Sequence, residues 1–358
     1  MYNLIINGET IHEMSKLPEK SIDLIFADPP YFMQTTGILH RVEGTKFLGC
    51  DDSWDKFSSL EDYETFSRQW LTECRRLLKP SGAIWVIGSM QCIYTLGHVM
   101  QNLGFWFIND IIWHKINPTP NFKGTRLNNS HETLIWAVKD KHSHYTFNYK
   151  TAKFLNGGKQ LGSVWRFPVC SGNERLKDSQ GRKLHNTQKP QALLERIIAI
   201  SSKPGDLVLD PFGGTMTTGA AAKKLGRKYI MIERDKNYCT YGRARLDAVS
   251  YEDSDIARAV YDVKPLRVTM NKMISAGYFI NGEAFFLKDG QECAYLQSDG
   301  KLLYQGEIID MHSCAARAKK LKAERVNGFV VWHVIRNNKL VSISSIREDY
   351  RTSLQSAQ

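Results

Sequence analysis

The stretch Asp23-Leu24-Ile25-Phe26-Ala27-Asp28-Pro29-Pro30-Tyr31 sets the tightest limit on what this chain can fold into. A short apolar run bounded by turn signals is the pattern of a strand buried on both faces of a parallel sheet. The run stops at a carboxylate, two prolines and an aromatic ring. The prolines fix φ and remove two N–H donors, so the chain leaves the sheet stiffly, with carbonyls still in need of partners. Ligands of open α/β sheets sit beyond the carboxyl ends of the strands, where Asp28 and Tyr31 project. A carboxylate, prolyl carbonyls and an aromatic plane suit a flat ring bearing an amino group, because the oxygens accept its N–H bonds while the ring stacks. The same residues also read as turn chemistry followed by a core tyrosine. Four residues do not decide between the two.

The flanking pattern extends the fold. Strands are expected over 3–7, 83–88, 105–113 and 132–138, with helices after 8, over 60–79, over 91–103 and over 191–201. Such alternation predicts a doubly wound, mostly parallel, Rossmann-like α/β sheet. With 358 residues the chain has room for two domains. The first is expected over 1–248 and a charged linker over 249–267. A small α+β domain follows over 268–358, with helices at 269–276 and 312–325, hairpin strands over 283–304 and two strands flanking Asn337-Asn338.

A second strand ending in an acid lies in Lys203–Gly219, where a buried strand ends at Asp210 and runs into a Gly/Thr loop and a small-residue helix, Ala220–Leu225. The following strand, Tyr229–Ile232, stops at Glu233. An acid there, about 20 residues beyond the first, suits ribose hydroxyls. The loop has neither the GxGxxG spacing of dinucleotide sites nor the lysine of a P-loop. A cofactor with a ribose and no pyrophosphate fits, and S-adenosylmethionine is one. Combined with the Asp-Pro-Pro-Tyr pocket, this points to methylation of an exocyclic base amine. The N6 lone pair of adenine is delocalised into the ring, and two acceptors on its hydrogens localise it and stabilise developing charge. His185–Pro190 opens the helix Gln191–Ser201, an N-terminus that reads as an anion site or as a well-capped helix.

Forty-eight basic residues against 37 acidic ones give a net charge of +11, which suits a polyanionic partner or a solvated basic surface. Residues 115–131 are rich in Asn and basic groups that can pair with base edges, among them Asn121, Lys123, Arg126 and Asn128. Basic residues alternate with aromatics over 140–183, including Arg175, Lys177 and Arg182, as phosphate contacts or as solvated loop. Trp54, in the long polar loop 32–58, reads as a lid over the target base or as a surface anchor. The seven cysteines are scattered and odd in number, no metal-ligand spacing occurs, and no stretch is apolar enough to span a bilayer. The N-terminus lacks the layout of a signal peptide. A cytoplasmic protein with buried free thiols is expected.

The order of parts, Asp28-Pro29-Pro30-Tyr31 first, His185–Pro190 later and Leu209–Gly219 last, resembles the β class of amino-methyltransferases acting on DNA. Ser21–Tyr31, Asp51–Phe57, Gly82–Ser89, Asn117–Trp136, Lys189–Pro190 and Leu209–Phe212 look closer to one subgroup, the HinfI-like and cell-cycle-regulated adenine-N6 enzymes of GANTC sites. The resemblance covers essentially the whole chain. It implies base flipping, double-stranded DNA as partner, S-adenosylmethionine as cofactor and a homodimer. It implies that Asp28 and the Pro29 carbonyl hold the amine and that Tyr31 stacks on the base, with Pro30 completing the motif. Glu9, Asp28, Asp210, Phe212, Gly214, Thr217 and Thr218 would then line the cofactor, Glu233 would hold its ribose, and Thr187 and Lys189 its carboxylate. Two departures stand out. Met216 replaces the second glycine of the loop; where that position needs φ > 0 or close approach to the cofactor, methionine costs affinity or forces a local rearrangement, and Met216→Gly is expected to preserve or tighten cofactor binding. Gly8-Glu9 stands where the family tends to have Gly-Asp. A cytosine-N4 enzyme and a DNA-binding regulator with a decayed cofactor site are the competing readings.

Overall fold

The computed structural model describes residues 2–33, 38–40, 46–48, 55–121, 124–185, 187–290 and 292–356. They divide into two units, Met1–Val263 and Lys264–Gln358. In the first, β1 (Leu4–Asn7), α1 (Thr10–Ser15) and β2 (Ile22–Ala27) precede a short hairpin, β3 (Ile38–His40) and β4 (Lys46–Leu48). Next come α2 (Leu60–Leu77), β5 (Leu78–Gly88), α3 (Ile93–Asn102), β6 (Trp106–Lys115) and β7 (His131–Val138). The unit continues through α4 (Tyr149–Phe154), β8 (Val164–Phe167), α5 (Gln191–Ser201) and β9 (Leu207–Asp210). It ends with α6 (Thr217–Lys224), β10 (Lys228–Glu233) and α7 (Lys236–Ala248).

Eight strands form one sheet in the order β1-β10-β9-β2-β5-β7-β6-β8. Neighbours are parallel except where β7 runs against β5 and β6. The doubly wound, mostly parallel α/β expectation holds. Apolar residues fill both faces, which is why β2 reads as a continuous run rather than an alternation. Leu24, Phe26 and Trp85 pack on one side with Leu193, Leu194 and Ile197 of α5. Ile25, Ala27, Ile84 and Val86 pack on the other with Trp70, Leu71 and Cys74 of α2. Ser59 starts α2 by accepting the Asp62 N–H at 3.0 Å, an N-cap bond. β2 and β9 are parallel neighbours, Leu24 opposite Val208 and Ile25 opposite Leu209, so their carboxyl ends open at one edge of the sheet.

The unit boundary falls after Val263, not at 249. The segment expected as a linker is anchored: Ala257 is fully buried in the first core, and its carbonyl accepts from the buried Arg227 guanidinium. Asp262 accepts N–H bonds from Lys150 (2.8 Å) and Thr151 (2.9 Å) at the start of α4.

The second unit contains α8 (Met270–Ser275), β11 (Ala284–Phe286), β12 (Glu292–Leu296), β13 (Leu302–Tyr304) and β14 (Glu307–Ile309). It closes with α9 (Met311–Ala318), α10 (Gly328–Val331), β15 (His333–Arg336), β16 (Lys339–Ser342) and α11 (Ile343–Ser356). Its antiparallel sheet runs β14-β13-β12-β11-β15-β16 around Met273, Phe285 and Trp332. The basic helix expected to reach 325 ends at Ala318, because the backbone turns left-handed at Lys320 (φ 54°). No helix among the described residues is long and apolar enough to cross a membrane.

Candidate active site

Asp28, Pro29, Pro30 and Tyr31 leave β2 and line one side of a cavity of about 780 Å³. Asp210, Phe212, Gly214, Thr217 and Thr218, from the turn between β9 and α6, line another, with Glu233 from the end of β10. Glu9, Thr187 and Lys189 complete it, so all residues expected at the amine and cofactor sites meet in one place. The sheet order explains this convergence. β9 lies between β2 and β10, so three strands that each stop at a carboxylate open side by side.

The exit from β2 is clamped. One oxygen of the buried Asp55 carboxylate accepts the N–H of Tyr31 (2.5 Å) and of Phe32 (2.7 Å), and the other that of Met33 (2.8 Å). Phe32 sits in the left-handed region (φ 54°), and the turn gathers three donors onto one anion. The Pro30 carbonyl is taken by the Tyr63 hydroxyl at 2.8 Å. Among the described residues nothing donates to the Pro29 carbonyl.

Beside the motif lies a buried cluster of charge. The Lys189 ammonium is 2.8 Å from Asp28 and 3.8 Å from Glu132, and 4.9 Å from the centre of the Tyr31 ring. Glu132 also meets Lys115 at 2.7 Å and accepts the Tyr31 hydroxyl at 2.9 Å. Burial pushes the Asp28 carboxyl above its ordinary range, only partly opposed by Lys189. For Glu132 burial acts the same way, but Lys189 and Lys115 together outweigh it and hold the carboxyl below its usual range. Burial would lower the Lys189 pKa; Asp28 and Glu132 reverse that and raise it.

On the other side of the cavity, burial raises the Asp210 carboxyl to about 7 despite bonds from the Thr218 hydroxyl (2.5 Å) and the Phe212 N–H (2.9 Å). Glu233 accepts the N–H of Gly214 (2.8 Å) and of Asp235 (2.7 Å). Glu9 accepts the His12 N–H at 2.8 Å as the N-cap of α1, and Thr217 accepts from Arg245 at 2.9 Å.

Several expectations change. Met216 does adopt the left-handed conformation (φ 60°), but its side chain is fully buried in the core and is not part of the cavity lining. The helix N-terminus at Gln191 is not an open anion site, since the Glu174 carboxylate takes the Gln191 N–H at 2.5 Å. Lys189 was implied for a cofactor carboxylate, yet its ammonium is shared by Asp28 and Glu132. Arg126, Asn128 and Lys177 are exposed, and Asn121 donates to the Arg126 carbonyl at 2.8 Å. Arg175 instead turns inward onto the Cys170 carbonyl (Nε at 3.0 Å), and Arg182 pairs with Asp178 at 2.8 Å. Trp54 and Lys123 lie outside the described residues. Sequence reasoning did not single out Asp55, Lys115 or Glu132. The one available signal was a glutamate at the head of the largely apolar run Glu132–Val138.

A family model described as DNA methylase matches residues 22–243. The chain is 47% identical over 348 residues to the type II methyltransferase M.HinfI of Haemophilus influenzae, covering 97% of this chain and 96% of that one. This chain belongs to the DNA methylase family. The type II methyltransferase M2.DpnII of Streptococcus pneumoniae is 41% identical over 247 residues, 68% of this methylase and 90% of its own length. Among solved structures, the M1.HpyAVI–SAM complex superposes with a TM-score of 0.50 at 28% identity, covering 68% of this methylase and 98% of that chain. At 348 of 358 residues, the M.HinfI alignment takes in most of the second unit.

Proposed function

We propose that this methylase transfers a methyl group from S-adenosylmethionine to adenine N6 in double-stranded DNA, at GANTC sites, with the base flipped out of the stack. The carrying observation is that Asp28 and the Pro29 carbonyl, which has no donor among the described residues, meet the Asp210–Thr218 turn and Glu233 in one cavity. The residues suit the cofactor. Each Glu233 oxygen holds one N–H and keeps lone pairs for ribose hydroxyls. Gly214, at φ 50°, brings bare backbone to the cavity, and buried Asp210 suits a cationic ligand. S-adenosylmethionine, when bound, supplies an electrophilic methyl group on a sulfonium.

The chain's own residues prepare the amine. Asp28 and the Pro29 carbonyl accept its two hydrogens, localise the nitrogen lone pair and stabilise charge developing on it. Asp55 and Tyr63 fix the backbone that carries these acceptors. Aspartate rather than serine before Pro-Pro-Tyr favours adenine over cytosine N4. The GANTC assignment rests on the subgroup resemblance of Asp51–Phe57 and Asn117–Trp136. The palindromic site fits a homodimer.

The test is label transfer from S-adenosylmethionine to duplexes carrying one GANTC site, a scrambled site, or a GANTC site with its adenine replaced. Label confined to the GANTC adenine is expected. Transfer to the scrambled site removes the GANTC assignment, and transfer to cytosine removes adenine. Cofactor binding without transfer on any duplex removes the proposed activity.

A further inference from the structure

Glu132 sits at the centre of the buried charge cluster and is assigned no part in the reaction as described so far. It comes from β7, where it lies opposite Trp113 of β6. That antiparallel pairing brings Lys115, two residues further along β6, within 2.7 Å of its carboxylate. The four charged side chains are well shielded: their exposures are 18% for Asp28, 6% for Lys189, 10% for Glu132 and 14% for Lys115. Two carboxylates and two ammonium groups balance, which makes the shared burial tolerable.

The arrangement poses a problem for the amine. Asp28 has to accept an N–H of the target base, yet one of its oxygens already holds Lys189 at 2.8 Å. An ammonium has three donors on a flexible stem, and Glu132 waits 3.8 Å away. A small swing of Lys189 moves its main contact from Asp28 to Glu132, so the ammonium stays paired while the amine takes its place at Asp28. The other reach of Glu132 is to the Tyr31 hydroxyl, at 2.9 Å, which fixes the rotation of the ring expected to stack on the base.

We propose that Glu132 is a positioning residue of the transfer reaction, holding the Tyr31 ring through its hydroxyl and sharing Lys189 with Asp28 so that Asp28 is free to take the target amine. This rests on the reading of Asp28 and Tyr31 as the amine-holding pair. Glu132 touches neither base nor cofactor and acts only through these two partners. Removing its charge leaves Lys189 with Asp28 alone, which grips the carboxylate harder and withdraws it from the amine.

Steady-state transfer by Glu132→Gln tests this, alongside a cofactor titration. The kcat is expected to fall at least tenfold while the Kd for S-adenosylmethionine changes less than twofold, because Glu132 does not line the cavity. Glu132→Gln strands the Lys115 charge and can cost folding, so Lys115→Met/Glu132→Gln is made as well. That double variant restores the charge balance and is expected to recover thermal stability but not kcat. In a Tyr31→Phe background, Glu132→Gln is expected to cost several-fold less than in the wild type, since one of its two arms is already gone.

Wild-type kcat in either Glu132 variant that folds, or a kcat that recovers in step with stability, overturns the role of Glu132 and leaves the Asp28 reading intact. A wild-type enzyme that binds cofactor but transfers no label overturns both.

Discussion

A β-carbon built on Gly242 of α7 would lie 2.3 Å from the Cγ of Met216. Met216 therefore fills a space that exists only because α7 has a glycine there, and its side chain points into the core rather than toward the cofactor. Its left-handed backbone costs about 1–2 kcal/mol, whereas deleting a buried methionine costs about 2–5 kcal/mol. Met216→Gly is thus expected to lower the unfolding free energy by roughly 1–3 kcal/mol without changing cofactor affinity. Denaturant melts and a cofactor titration check both halves. Met216→Gly/Gly242→Ala should regain part of the loss, as coupled neighbours do. A large gain in affinity from Met216→Gly would reinstate the expectation that methionine obstructs the cofactor.

Asp55 gathers the N–H groups of Tyr31, Phe32 and Met33 onto one buried carboxylate. Asp55→Ala leaves those donors without it and is expected to cost about 2–4 kcal/mol of stability. Asp55→Asn, which keeps one acceptor oxygen, should fall between Asp55→Ala and wild type. Thermal melts rank the three proteins, and the same order is expected in kcat because Asp55 sets where Tyr31 leaves the sheet.

Asp28→Ala should reduce methyl transfer by at least about 10²-fold, the scale of losing one transition-state hydrogen-bonding partner, while duplex binding persists. Transfer assays with a parallel mobility-shift titration separate the two effects. Undiminished turnover would remove Asp28 from the mechanism.

Asp210 sets a pH dependence whose sign follows from its carboxyl standing at about 7. An unfolded aspartate loses its proton near 4, so between the two values the folded chain binds more protons than the unfolded one. Stability of the ligand-free protein accordingly falls as pH rises from about 4 to about 7, by at most about 4 kcal/mol from this group. Chemical denaturation across that window measures the slope. Asp210→Asn should flatten it, leaving the contributions of Asp28, Asp206 and Glu233, whose raised carboxyls act in the same direction.

The basic residues divide into two groups. Arg126 is exposed, so Arg126→Ala should weaken duplex binding and lower the salt slope by about 1 if it meets a phosphate. Arg175 is committed to the Cys170 carbonyl, so Arg175→Ala is expected to lower the melting temperature instead. Binding isotherms at several salt concentrations distinguish them.

The carboxylates that line the cavity from the sheet were legible because each ends an apolar strand, and a parallel sheet brings such ends together. The strand ends at Asp28, Asp210 and Glu233 needed no knowledge of distant partners. Glu132 and Lys115 did. Their meeting depends on β7 running antiparallel to β6, a register that neither segment encodes alone. Glu174 was hidden for the same reason: it caps α5 from 17 residues upstream, across a stretch with no periodic pattern. The direction of the Met216 side chain was not legible either, because it depends on a glycine in α7, far along the chain.

The strand order also bears on how the chain is made. β1 and β2 are synthesised well before β9 and β10, yet the sheet places β10 and β9 between them. Asn7 donates to the carbonyl of Glu233, 226 residues later. Closing so long a loop is slow, and until β9 and β10 are synthesised one edge of β2 has no partner. A nascent chain stalled before Leu207 therefore exposes an apolar strand edge of the kind that pairs with other chains. Of the two sides of the cavity, the one proposed for the cofactor is completed later in synthesis.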